Sequence, residues 1–489
     1  MKRSSLDTPM MRQFLAIKAR HPEAIVFYRM GDFYEMFLAD AERAAPLLGI
    51  ALTTRDRGKR DPVPMCGVPV HSADAHIRRL ASLGHRVAIC EQIEDAKATG
   101  GRRLVRRDVV EVITPGLVGD PAGIDAAQEL TLVAIELVAA ATGASVGLAV
   151  LDASTGDLRA THLEDSVPSG LLPPALVAEL QRVAPREILL AGPADPALVS
   201  QLKDVVPAAA HTEVTATHFD PAAAPVHPHG LSPEAADAGS RAAAALLAYL
   251  GANQPFALAQ ISRVRAYRLT DAMVLDAATR SHLELFRNTE DGSRRHTLIE
   301  RLDETRTPMG ARRLARWIAY PLTDPEAIRA RQEAVALLAA QDRPRARLRE
   351  ALRPVRDLER LLGKAARPAA TPRDLASLRG SLEALPAVHA VVAALEAQNP
   401  PAHVEDGPLL RAPAPVSDVA ELLREALVDE PPAVPRGSRG AGETGTIRDG
   451  FHAELDGLRQ GVRKGREWIA GLEASERERT QISNLRIRF

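Results

Sequence analysis

Residues 27–37 read Phe27-Tyr28-Arg29-Met30-Gly31-Asp32-Phe33-Tyr34-Glu35-Met36-Phe37. The apolar and aromatic run from Ala24 to Met30 predicts a short strand. Gly31-Asp32 is a turn signal, and Phe33 to Phe37 then presents Phe-x-Glu in an extended segment. Side chains at i and i+2 of an extended segment share one face. Phe33 and Glu35 therefore point together, a ring beside a carboxylate. Such a pair suits a flat ligand with polar edges, such as a nucleobase: the ring stacks and the carboxylate reads an edge. The competing reading makes Phe33 a core aromatic and Glu35 a surface charge. The chain has 16 Phe, Tyr and Trp; six of them (Phe14, Phe27, Tyr28, Phe33, Tyr34 and Phe37) precede residue 38, and none follows until Phe219. Such crowding marks either a small local core or an aromatic surface that touches a ligand.

The flanking sequence alternates strands with helices. Thr8 caps a predicted helix over 8–21, with Pro9 in its first turn. Asp40 to Leu48, closed by Gly49, and Ser72 to Leu83, closed by Gly84, predict two more. Ile50–Thr54, His85–Glu91 and Arg107–Ile113 predict strands, with a polar loop through Asp61. This alternation makes residues 1–118 a compact α/β domain. Pro115–Ala127 reads as a linker. A second α/β unit follows, with strands at Leu130–Ala139, Ser145–Ala153 and Glu187–Leu190, a hairpin turn at Ser154–Asp157 and a helix over 175–182. Pro207–Pro233 is rich in Pro, Ala and His and reads as loop. Beyond Pro255 helical periodicity persists, as in 307–319, 324–339 and 371–385. The Pro/Gly-rich stretch 429–445 breaks it. A charged, solvent-exposed helix over about 449–478 then leads to Ile482–Phe489, which reads as a strand just beginning.

The length of 489 residues suggests three or four domains, at about 100–200 residues each. Formal charge is +5 over residues 1–118, −11 over 119–250 and +5 over the remainder. A basic–acidic–basic chain matches two regions near a polyanion and one kept away from it; ordinary scatter among three domains is the bland alternative. The two cysteines, Cys66 and Cys90, exclude a disulfide scaffold and a four-cysteine zinc site. Either could join His71 or His85 in a metal site, but buried reduced thiols account for them more simply. The first residues, Met1 to Asp7, lack the apolar stretch of a signal peptide, and no uncharged apolar run reaches about 18 residues. A soluble protein in a reducing compartment, with no membrane partner, is the expectation.

Phe27–Phe37 resembles the mismatch-binding motif of the MutS family of bacterial DNA mismatch repair proteins. Pro64-Met65-Cys66-Gly67-Val68-Pro69-Val70-His71 resembles the family's Gly-Val-Pro-x-His element, and Val87-Ala88-Ile89-Cys90-Glu91-Gln92 its next strand. Val112–Gly116 resembles the end of its first domain, and Leu275–Leu285 the entry to its lever region, with His282 where Asn is usual. Thr307–Arg312 and Arg316-Trp317-Ile318 continue the likeness, and Arg477–Thr480 with Ile482–Arg488 resembles the approach to the clamp. The resemblance spans essentially the whole chain. It implies a multidomain fold: an α/β mismatch-recognition domain over 1–118, an RNase H-like α/β connector with linkers over 119–254, a mostly α-helical core and lever over 255–455, and the start of a truncated clamp over 456–489. It also implies a partner, double-stranded DNA carrying mismatches or small loops. Phe33 would be a wedge entering the minor groove at a kinked mispair, and Glu35 would hydrogen-bond the mispaired base. Arg102, Arg103, Arg106, Arg107, Asn484, Arg486 and Arg488 become possible backbone contacts. Homodimerisation, downstream repair proteins docking on the connector, and a cytoplasmic, nucleoid-associated location are further implications.

The family's ATPase needs a loop of the form G-x-x-x-x-G-K-[ST], whose amides and lysine hold phosphates. No such string occurs: Gly58-Lys59 and Gly363-Lys364 are followed by Arg60 and Ala365 and lack the spaced first glycine. The expectation is therefore a chain equivalent to the family's N-terminal half, without its own ATPase activity and without the ATP and Mg2+ of that domain as cofactors. Two alternatives stand beside mismatch sensing. One is a regulatory fragment that binds repair partners. The other is a nuclease built on the connector around Asp152, for which no second carboxylate stands at sensible spacing.

Overall fold

The computed structural model describes residues 6–55, 62–94, 105–118, 128–140, 143–165, 171–234, 237–368, 370–398, 411–432 and 445–486. It divides into two compact units, Met1–Ala370 with Ala384–Ala414, and Thr371–Glu383 with Pro415–Phe489.

The first unit opens with α1 (Pro9–Arg20), β1 (Ala24–Met30), β2 (Phe33–Phe37), α2 (Ala39–Leu48), β3 (Thr53–Arg55), β4 (Val63–Pro69), α3 (Ala73–Ser82), β5 (Arg86–Gln92) and β6 (Arg107–Ile113). The Thr8 hydroxyl accepts the Met11 N–H at 3.3 Å and caps α1, and Gly49 closes α2 in the left-handed region at φ 68°. The six strands form one mixed sheet, ordered β3-β4-β2-β1-β5-β6. Its two faces carry separate cores. Ile25, Phe27, Tyr34, Met36 and Cys66 pack under α2 and α3. Val26, Tyr28, Phe37 and Cys90 pack under Met10, Met11, Phe14 and Ile17 of α1. The alternation of β1 and β2 divides their side chains between the faces.

Strand β4 lies where Pro62, Pro64 and Pro69 punctuate the sequence. It forms because it is sandwiched between β2 and β3, where Cys66 and Val68 are buried. The strand expected at Ile50–Thr54 shrinks to Thr53–Arg55. Ser72 does not cap α3 with its side chain; its hydroxyl donates instead to the Pro69 carbonyl at 3.1 Å.

A second six-stranded sheet follows. It is built from β7 (Thr131–Ala140), β8 (Gly143–Asp152), β9 (Asp157–Asp165), β10 (Glu187–Ala191), β11 (Ala210–Val214) and β12 (Val264–Ala266), ordered β11-β10-β7-β8-β9-β12. Strands β7, β8 and β9 form an antiparallel meander, while β10 and β11 add in parallel. Helices α4 (Pro174–Val183) and α5 (Pro196–Val205) contribute Leu176, Leu180 and Leu202 to one face. Helix α6 (Ala238–Asn253) covers the other. A Cβ at Gly147 would stand 1.8 Å from the Ala238 carbonyl oxygen, so this glycine is what lets α6 lie directly on β8.

Two expectations are corrected here. Pro207–Pro233 is not simply loop: it holds β11 and two single-turn 3-10 helices, at Ala216–Phe219 and Pro221–Ala223, because β10 offers β11 a parallel partner. The second sheet also does not end at 254. Its edge strand β12 pairs with β9 beyond that point.

The rest is helical. Within the first unit lie α7 (Ala277–His282), α8 (Leu298–Leu302), α9 (Pro308–Ala319), α10 (Pro325–Ala340), α11 (Asp342–Leu352) and α12 (Leu358–Ala365). Helix α13 (Pro372–Gln398) runs through residues of both units, with Pro386 inside it, and extends well past the expected 371–385. By length and composition its stretch Pro372–Ala397 could cross a membrane. Its Leu378, Leu382, Leu385, Val388, Val392 and Leu395 are buried in the protein. The second unit adds α14 (Ser417–Ala426) and α15 (Ala453–Thr480).

The strand expected from Ile482 is not found among the described residues. Gln481 turns into the left-handed region at φ 56°, and the Leu485 carbonyl accepts the Arg477 Nε–H at 2.9 Å, folding the segment back on α15. A strand needs a paired neighbour, and 482–486 has none there. Most of the 429–445 break lies outside the described residues, as does 119–127 of the linker.

Candidate nucleic-acid interface

Strands β1 and β2 form a tight antiparallel hairpin in which Met30 pairs with Phe33 and Tyr28 with Glu35. Gly31 takes φ 60°, a conformation that glycine adopts without a side-chain penalty. The parallel ladder of β1 with β5 ends at Tyr28 and Cys90, so the hairpin tip extends past it.

Along β2, Tyr34 and Met36 turn into the core under α2 and α3. Phe33, Glu35 and Phe37 share the other face. Phe37 lies under α1, with its ring centroid 5.1 Å from that of Phe14. Two positions earlier on the same face, Glu35 is half-buried and Phe33 is 47% exposed. The Phe33 ring is therefore not packed in the core.

Glu35 is held in an unusual state. Its Oε2 is buried and accepts no hydrogen bond. Among the described residues the cation paired with it is Arg55 on β3, with Nη1 3.8 Å away, too far for a hydrogen bond. Burial raises the Glu35 pKa, and the opposing pull of Arg55 and Arg107 does not cancel that rise. Gly67 faces Glu35 across β4. A Cβ there would stand 3.1 Å from the Tyr34 carbonyl and 3.5 Å from Glu35 Cγ, so the glycine gives the carboxylate room to lie against the strand. An exposed ring beside a half-buried carboxylate can stack on a flat ligand and hydrogen-bond its edge.

The other candidate residues differ in their settings. Arg107 is only 8% exposed. It donates to the Arg29 carbonyl at 2.7 Å and the Val105 carbonyl at 3.0 Å, and it lies 5.1 Å from the Tyr28 ring centroid. The structure gives Arg107 an internal role instead of presenting it to a phosphate. Arg106 is exposed, with its backbone N–H on Glu94 at 3.1 Å. Asn484 and Arg486 are exposed and belong to the second unit. Arg102, Arg103 and Arg488 lie outside the described residues. Sequence reading did not single out Arg55; its only signal was a basic residue on a β-branched run.

The two cysteines are free and buried on opposite faces of the first sheet. Burial pushes the Cys66 thiol up to about 11 and the Cys90 thiol up to about 12. Asp152 is buried and accepts from Leu130 N–H at 3.2 Å, Ser154 N–H at 3.0 Å and the Ser154 hydroxyl at 2.6 Å. Those donors make it the anchor of the β8–β9 turn. Among the described residues no cluster of three or more His, Cys, Asp or Glu could hold a metal.

Three family models match the chain: MutS domain I over residues 8–122, MutS domain II over 131–262 and MutS domain III over 278–486. This chain belongs to the MutS family. Curated relatives called DNA mismatch repair protein MutS align along 99% of its length. The protein of Anaeromyxobacter dehalogenans strain 2CP-C is 42% identical and is itself covered to 52%. That of Symbiobacterium thermophilum is 40% identical and covered to 54%, and that of Alkaliphilus metalliredigens 37% and 54%. The chain spans about half the length of these relatives. The domain II match, which reaches residue 262, agrees with a second sheet that continues beyond 254. In this MutS-family chain the presented ring and carboxylate fall within the domain I match.

Proposed function

We propose that the chain recognises mismatched DNA as part of DNA mismatch repair, with domain I reading the defect. The observation that carries this reading is the exposed Phe33 ring beside the half-buried Glu35 carboxylate on the same strand face. A mispaired or looped step unstacks and bends at lower cost than a paired one, so an apolar wedge in the minor groove selects it without reading sequence. Phe33 stacks on the mispaired base, and Glu35 meets that base's edge. With its pKa raised, Glu35 can hold the proton it would donate.

Arg102, Arg103, Arg106, Asn484, Arg486 and Arg488 are the proposed phosphate contacts, which add affinity but no sequence information. The second sheet acts as the connector that downstream repair proteins meet, and its charge of −11 over 119–250 keeps it off the DNA. In the intact assembly, which works as a homodimer in the cytoplasm on the nucleoid, the recognition event is coupled to an ATPase with ATP and Mg2+. No G-x-x-x-x-G-K-[ST] string for that step occurs in this sequence.

The test is equilibrium binding of the purified chain to two duplexes that differ by one mispair, at low salt where phosphate contacts retain measurable affinity. Tighter binding of the mismatched duplex supports mismatch sensing. Equal binding, or none, supports the alternative of a partner-binding fragment.

A further inference from the structure

Past Tyr28 the hairpin tip has no parallel neighbour on the β5 side, yet it carries the exposed ring. Side chains take over where the backbone ladder stops. The Arg29 Nε–H donates to the Gly31 carbonyl at 2.6 Å, within the turn itself. Arg29 Nη1 reaches Glu91 of β5 at 3.3 Å, and its guanidinium lies 5.5 Å from the centroid of the Tyr34 ring. The Tyr34 hydroxyl donates to the same Glu91 carboxylate oxygen. Arg107 of β6 grips the Arg29 carbonyl from behind at 2.7 Å, and the Val70 N–H holds the Asp32 carbonyl at 3.0 Å. Tyr34 and Arg29 lie either side of the turn and converge on one carboxylate, so Glu91 ties both arms of the hairpin to the sheet.

We infer that Glu91, with Tyr34, Arg29 and Arg107, forms a brace that fixes the angle of the Phe33 hairpin, and that these four are positioning residues for mismatch recognition. None is proposed to touch the mispaired base. The inference rests on the reading of Phe33 as the wedge. A wedge gains from stacking only if its ring is already aimed when the groove opens; a loose hairpin must be ordered on binding, and that ordering subtracts from affinity. The loss falls on the defect-dependent part of binding and leaves the phosphate-dependent part alone. Discrimination, not affinity for any duplex, is therefore the quantity the brace controls.

The experiment measures Kd for mismatched and matched duplexes, together with urea unfolding, for the full chain and for Tyr34→Phe, Glu91→Gln, Glu91→Ala and Phe33→Ala. Tyr34→Phe keeps the packed ring and removes only the hydroxyl, so the fold survives. Its ratio of matched to mismatched Kd is expected to fall by about fivefold, the equivalent of one net hydrogen bond. Matched-duplex affinity stays close to that of the parent, and the urea midpoint falls by no more than the loss of one hydrogen bond requires. Glu91→Ala is expected to fall further, and Glu91→Gln, which retains an acceptor for Tyr34, to recover part of that loss. If Phe33→Ala abolishes discrimination while Tyr34→Phe and Glu91→Ala leave it intact, the brace is refuted and the wedge stands. The brace is also refuted if the variants weaken both duplexes equally in step with a lower urea midpoint, because that is the pattern of general destabilisation. If Phe33→Ala itself leaves discrimination intact, the wedge reading fails, and the brace with it.

Discussion

Replacing Phe33 by alanine separates a recognition role from a packing role, because Phe37 on the same face supplies an internal standard. Phe37 is fully buried among Phe14 and Tyr28, with centroids 5.1 and 6.2 Å away. Phe37→Ala should cost about 3–5 kcal/mol of folding stability, as for other core Phe truncations. Phe33 is 47% exposed at the end of a hairpin, so Phe33→Ala forfeits only part of the transfer term and opens no enclosed cavity. Its expected cost is about 1 kcal/mol. Base stacking on an aromatic side chain contributes about 1–3 kcal/mol. Mismatched-duplex affinity should therefore fall roughly ten- to a hundredfold, toward the value for matched duplex, which itself changes little. Urea unfolding of both variants, paired with fluorescence-anisotropy titration of the two duplexes, reads out both quantities. A loss of stability in Phe33→Ala as large as in Phe37→Ala, with discrimination intact, would refute the reasoning.

Other consequences follow from buried carboxylates. Burial raises the Glu35 pKa above its ordinary 4.5, so its favourable contribution is present below that pH and lost as pH rises through the folded value. Glu35→Gln should therefore stabilise the free protein at pH 8 and have little effect at pH 4, measured as the difference in urea midpoints. Glu187, the first residue of β10, is fully buried, and its carboxylate accepts from Thr114 (2.5 Å), Gly116 N–H (2.9 Å), Thr212 (2.6 Å) and Tyr249 (2.7 Å). Glu187→Ala should cost about 3–5 kcal/mol by stranding those donors, and Glu187→Gln less, by the same unfolding measurement. Burial alone would raise the Asp157 pKa, but Arg316, then Arg159 and Arg265, outweigh it and hold the group to about 2. Its stabilising contribution is present above its ordinary 3.8 and lost as pH falls through about 2, so Asp157→Asn should flatten the stability profile over that window.

The local sequence determined the elements whose signals are local. Thr8 and Pro9 set the start of α1, Gly49 the end of α2, and Ser154-Thr155-Gly156-Asp157 the β8–β9 hairpin. Alternation in Phe33–Phe37 placed Phe33 with Glu35 and opposite Tyr34, because a period of two is a property of the strand itself. The order of quoted segments carried the family resemblance, and the composition carried the acidic second domain. Whether Phe33 is core or presented was not legible there. The answer depends on how far α1 reaches over the sheet, and α1 covers Phe37 but not Phe33. Strands β4 and β11 were hidden by their prolines and alanines, since only a neighbouring strand makes such a segment extended. Helix α6 has almost no polar face to reveal its period, being buried nearly all round. Arg107 reads in sequence as one of a basic cluster and in space as a buried clamp on Arg29, and Arg55 and Glu91 come near the site from strands far along the chain. Burial and partnership are sums over residues distant in sequence, so the tertiary structure alone decided which charges serve the fold and which stay exposed.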